Sequence, residues 1–145
     1  MELYECINFV LESTRNSVYS YFKGKLATFN VTPIQYALLK CLWEADIQTP
    51  SQLAQTLKLD ASTTSGVVER LERKNLVERI FSKTDRRSVY ICLTPGGAAL
   101  RSGVEAAILE ANKDVLAAFS EEESALFKQM CRQVRDTAAK MRENN

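Results

Sequence analysis

The sequence predicts a mainly α-helical fold carrying a small two- to three-stranded antiparallel β-wing. Three observations predict it. Residues 61 to 74 repeat Thr64, Val67, Val68 and Leu71 at helical spacing. Residues 88 to 93 alternate at strand spacing and put Val89, Ile91 and Leu93 on one face. Between that strand and another near 77 to 81 lies the polar tip SKTDRRS, which holds Asp85, Arg86 and Arg87. A helix running directly into a basic hairpin is the layout of a winged helix-turn-helix.

Helix starts are marked by caps. All three prolines follow a threonine, at Thr32-Pro33, Thr49-Pro50 and Thr94-Pro95. A threonine N-cap accepts an orphan backbone N–H, and proline at the first helical position needs no donor. Thr32/Gln35, Thr49/Gln52 and Ser120/Glu123 have capping-box spacing, and Asp60 is a fifth N-cap candidate. The predicted helices span about 3 to 28, 33 to 45, 50 to 57, 61 to 74, 95 to 118 and 121 to 142. Leu3, Ile7, Val10, Leu11, Val18, Phe22 and Leu26 form a stripe along the first.

The expected organisation is one domain over residues 1–145. Residues 30–97 form the winged helix-turn-helix lobe, and 1–29 and 98–145 form dimerisation helices. Val104, Ala107, Ile108, Ala111, Val115, Phe119, Leu126, Met130 and Val134 extend beyond what a small winged-helix core should cover. A symmetric homodimer would bury them; folding back on their own chain is the alternative.

Composition narrows the function. The formal net charge of +1 excludes a uniformly basic nucleic-acid coat. From Gly66 to Tyr90, however, seven Lys/Arg face four Asp/Glu, a local excess of +3. No apolar run approaches the ~18 residues of a membrane span, and the N-terminus lacks a basic start, so a cytoplasmic protein without membrane contact is expected. Four scattered cysteines and no histidine leave no zinc layout, no disulfide framework and no common general base. Neither an enzyme nor a metal or other cofactor is expected.

On a helical wheel, Ser62, Gly66, Glu69 and Arg73 lie opposite the core face, flanked by Thr63, Ser65 and Arg70. Small hydroxyls suit the end of a helix that enters a major groove, and arginine pairs with guanine or phosphate. Gly66 would permit close approach of a base or sugar. A solvated face is the bland alternative, and Glu69 either accepts from cytosine or holds Arg73. Arg86 and Arg87 at the hairpin tip are free to enter a minor groove, and Asp85 can orient a guanidinium or cap the turn. Ser51 and Gln52 begin a helix and can donate to phosphate.

The segments VTPIQYALL (31–39), PSQLAQTLKLDASTTSGVVERLERKNLVER (50–79) and DRRSVYICLTPGG (85–97) resemble the MarR family of bacterial transcription regulators. The resemblance implies a homodimer with a winged helix-turn-helix on each arm, binding pseudo-palindromic operators in double-stranded DNA, usually as a repressor. It implies a recognition helix at Ser62 to Arg73 and a minor-groove arginine at Arg87, with Arg86 beside it. It also suggests a pocket for small, often phenolic ligands. One departure is Asn75, where the family pattern LExxGLV has glycine; asparagine tolerates the left-handed conformation.

For the trigger, Tyr19, Phe22, Tyr36 and Trp43 could line a pocket for a small aromatic effector, or simply pack in the core. A peroxide-sensing branch of the family carries a reactive cysteine in the first helix, and Cys6 falls about two residues from that register. The leading expectation is a ligand-responsive, sequence-specific repressor. A thiol-redox regulator using Cys6 and a winged-helix protein-interaction module are the alternatives.

Overall fold

The computed structural model describes residues 1–85 and 87–144. In chain order the elements are α1 (Ile7–Leu26), α2 (Pro33–Glu44), α3 (Pro50–Leu57), α4 (Ala61–Arg73), β1 (Val77–Phe81), β2 (Val89–Leu93), α5 (Pro95–Ala99), α6 (Arg101–Val115) and α7 (Glu121–Glu143). All five predicted caps form. Thr32, Thr49 and Ser120 close capping boxes with Gln35, Gln52 and Glu123. Asp60 and Thr94 accept from the backbone N–H of Thr63 and Gly97.

Two helices differ from expectation. The first does not run unbroken from residue 3. A capping box between Glu2 and Glu5 closes a separate 3-10 turn at Leu3–Glu5, and Cys6 is extended before α1 begins. The helix expected over 95 to 118 divides at Leu100 and ends at Val115. Its first turn holds Gly96 and Gly97, which are poor helix formers, and the Gly97 carbonyl accepts the Trp43 indole N–H at 3.0 Å.

The chain forms two compact units, Met1–Leu109 and Glu110–Asn145. The first holds the core, built from Leu26, Leu38, Leu42, Leu53, Leu71 and Ile91 with their neighbours. Burying each such side chain stabilises the fold by about 1.5–3 kcal/mol relative to exposure. Val104 and Ile108 belong to this core. That corrects the expectation that they lie beyond the winged-helix lobe's reach: α6 supplies part of its wall. By contrast, Leu3 and Ile7 are exposed, and only Leu26 of the α1 stripe is fully buried. In the second unit α7 buries no residue, Leu126, Met130 and Val134 are exposed, and Phe119 stacks on Phe127 at 6.0 Å.

Strands β1 and β2 pair antiparallel with Val77 opposite Leu93, Arg79 opposite Ile91 and Phe81 opposite Val89. A single bridge from Gln48 to Ile91 adds a rudimentary third strand. The Asp46 carboxylate accepts the Leu93 N–H at 2.9 Å beside it.

The start of the wing is fixed by the end of α4. Asn75 takes a left-handed conformation with φ 57°. The Leu76 N–H reaches the Leu71 carbonyl at 3.0 Å and the Asn75 N–H reaches Glu72 at 2.8 Å, a Schellman closure. Thr94 then locks the return strand to this corner, donating its hydroxyl to the Asn75 carbonyl at 2.7 Å and its N–H to Leu76 at 3.1 Å.

Candidate nucleic-acid interface

Helix α4 is strongly two-sided because its apolar residues recur every three to four positions. Thr64, Val67, Val68 and Leu71 are buried; Ser62, Thr63, Ser65, Glu69, Arg70 and Arg73 are exposed. The buried Thr64 hydroxyl is satisfied by the Asp60 carbonyl at 2.9 Å. Helix α3 packs against α4 and exposes Ser51 and Gln52 at its N-terminus. Gln52 Oε1 is committed to the Thr49 N–H at 2.9 Å, which leaves its amide hydrogens for another acceptor.

Nothing inside the fold requires glycine at position 66. A Cβ there would meet only the Arg70 guanidinium, at 3.9 Å. Any need for glycine comes from the outer surface, the side from which a groove would approach.

The acids of this surface are each engaged. Asp60 accepts the Thr63 N–H at 2.6 Å, and these bonds from Thr63 hold its carboxyl below the usual aspartate range. Glu69 pairs with Arg73 at 2.5 Å, one helical turn on. Glu72 pairs with Arg79 and so ties β1 to α4. Arg70, Lys83 and Arg87 form no ion pair among the described residues. The positive excess of this segment therefore faces outward.

At the wing tip, Asp85 builds the turn. Oδ1 accepts the Arg87 N–H at 3.0 Å, Oδ2 the Ser88 hydroxyl at 3.2 Å, and the Asp85 carbonyl the Ser88 N–H at 3.0 Å. Of the two roles open to Asp85 from sequence, the geometry displays turn capping. Arg87 is exposed. Arg86, expected beside it, lies outside the described residues.

Three of the four aromatic candidates for an effector pocket lie at the core, and Tyr19 lies outside it. Trp43 is buried, Phe22 and Tyr36 pack against the core, and Tyr19 is exposed beneath the Arg15 guanidinium. The rings of Tyr36 and Trp43 are 6.3 Å apart. Burial pushes the Tyr36 hydroxyl above its ordinary value. Two clefts in the described surface are lined by Asn16, Ser17, Ser20, Tyr21 and Gly24, and by the 45–48 loop with Gln52, Gln55 and Thr56. None of the four aromatics borders either. Burial likewise raises the thiols of Cys41 and Cys92, which makes them poor nucleophiles.

Two further wing residues, Lys83 and Phe81, are exposed. Lys83 was signalled by charge alone. Phe81 gave no polar signal, yet it is 65% exposed.

Residues 31–89 match the MarR family model. The organic hydroperoxide resistance transcriptional regulator of Bacillus subtilis is 34% identical over 101 residues, covering 70% of this chain and 69% of its own. The chain belongs to the MarR family. The family's members are transcriptional regulators, and the fold is its winged helix. The homoprotocatechuate degradative operon repressor of Escherichia coli is 28% identical, covering 83% of this chain and 81% of its own. The structure of reduced AbfR bound to DNA superposes with a TM-score of 0.81 at 25% identity, covering 96% of this chain and 94% of that one. No described helix of this MarR-family chain is long and apolar enough to cross a membrane.

Proposed function

We propose that this regulator is a ligand-responsive homodimer that represses transcription in the cytoplasm by occupying a pseudo-palindromic operator. The observation that carries the reading is the exposed face of α4. Ser62, Thr63, Ser65, Gly66, Arg70 and Arg73 share one side of a helix whose opposite side is anchored in the core. That helix enters the major groove, where arginine and the hydroxyls read base edges. Arg87, with Arg86, enters the adjacent minor groove, and Ser51 and Gln52 hold phosphate. The E. coli relative is named a repressor, and AbfR is bound to DNA; both support the reading.

Dimerisation rests on the exposed apolar residues of α1 and α7, which lie in the two segments assigned to it, 1–29 and 98–145. An effector acts by favouring dimers whose two recognition helices no longer match grooves about one helical turn apart. A small aromatic molecule is the proposed effector class.

The test is binding to a duplex selected from a random pool by the wild-type protein. Arg87→Ala weakens it by about ten-fold or more and lowers the salt slope by about one, while the dimer persists in sedimentation. Arg73→Ala changes base preference as well as affinity. Unchanged binding of both variants overturns the assignment.

A further inference from the structure

The pleat of β1 puts Val77, Arg79 and Phe81 on one face of the ribbon. The direction of that face is fixed by two observations: Val77 is buried in the core, and Arg79 pairs with Glu72 of α4. Phe81 therefore points from the same side of the wing as the recognition helix. It lies about 13 Å along the strand from Val77, past the last core residue. Opposite it in register is Val89, half-buried, and the two make a small apolar step. Toward the tip the chain becomes wholly polar, from Ser82 to Ser88.

A phenyl ring 65% exposed gains little from the fold in that position. Its neighbours are the two surfaces proposed to touch DNA: α4 on one side and the tip with Arg87 on the other. A duplex whose major groove holds α4 and whose next minor groove holds the tip must pass its sugar–phosphate ridge between them. The deoxyribose edge of that ridge is the apolar part of the backbone.

We propose that Phe81, supported by Val89, packs on the deoxyribose edge between the two grooves and sets how deeply the wing descends. This rests on the operator-binding reading above. Phe81 is then a positioning residue for Arg87, and its contribution differs in kind from that of the cations. An apolar contact releases no counterions, so it adds affinity without adding salt dependence.

The experiment compares wild type, Phe81→Ala, Phe81→Leu and Arg87→Ala on the selected duplex over a range of salt, with thermal melting and sedimentation of each protein. Phe81→Ala is expected to weaken binding about ten-fold with an unchanged salt slope. Phe81→Leu keeps an apolar side chain and retains most of the affinity. Arg87→Ala loses affinity and about one unit of slope. If Phe81→Ala binds as wild type does while Arg87→Ala is impaired, the inference fails and the operator reading stands. If neither variant differs from wild type, the operator reading fails as well. If Phe81→Ala loses self-association, the ring belongs to a contact between copies of the chain, and the proposal is wrong.

Discussion

Asp85 Oδ1 accepts the backbone N–H of Arg87 at 3.0 Å, so the acid at the wing tip holds in shape the loop that displays the arginine. An amide oxygen can do the same work without the charge. Asp85→Asn is therefore expected to bind the selected duplex within about two-fold of wild type, and Asp85→Ala about five-fold more weakly, the loss of about one hydrogen bond's net worth. Equal impairment of both variants in a titration would assign the carboxylate to a guanidinium instead.

Lys74 joins the end of α4 to the start of α2. Its Nζ donates to Gln35 Oε1 at 2.8 Å and to the Asn30 carbonyl at 2.6 Å. Gln35 is itself buried and closes the α2 capping box. Lys74→Met keeps the aliphatic stem and loses both bonds, and should destabilise the protein by about 1 kcal/mol at an unchanged urea m-value. A midpoint equal to wild type would show that the strut is idle.

Gly97 permits the close approach of α5 to the corner after α4. A Cβ on it would lie 2.0 Å from the Leu76 carbonyl oxygen, which is backbone and cannot rotate away. Gly97→Ala is expected to cost about 2 kcal/mol or more and to lower the melting temperature by several degrees. Gly96→Ala, whose Cβ would sit 3.4 Å from the Asn75 carbonyl, is the near-neutral control.

Acid sensitivity has a named contributor at the head of the recognition helix. Backbone donation from Thr63 depresses the Asp60 carboxyl below the ordinary aspartate value of 3.8. A depressed folded value means that the carboxylate stabilises the native state above that pH, and that this is lost as pH falls through the folded value. Asp60→Asn still caps α4 but has no proton to bind. Its unfolding free energy should lie below that of wild type near pH 7, and the two should converge as pH falls below about 4, because the variant has no such proton-linked loss. Parallel acid limbs would remove Asp60 from the account. Glu44 and Glu105, held low by bonds to Lys40, keep the limb from becoming flat.

Where local chemistry is strong, the sequence was readable. Thr-Pro pairs, capping boxes and the Asn75 turn depend on residues close in the chain, and each formed as expected. The period of α4 separated its buried and exposed faces correctly because one helix cannot hide both. What sequence missed depends on distant partners. The break at Leu100 follows a first turn whose Gly97 carbonyl meets the Trp43 indole, 54 residues away in sequence. Val104 and Ile108 read as surplus apolar surface because no pattern within α6 reveals that the lobe's core is open on that side. The exposure of Phe81 has no sequence signal, because strand alternation alone does not show where the core ends along the strand.

In the proposed complex, α4 and the wing of each protomer read one half of a two-fold site. Hydroxyl-radical footprinting of wild type and Arg87→Ala on the selected duplex tests it most directly. Two symmetric sets of protections are expected, with centres about one helical turn apart, the minor-groove protections vanishing in Arg87→Ala while the rest persist. A single asymmetric patch, or an Arg87→Ala footprint identical to wild type at equal occupancy, would contradict it.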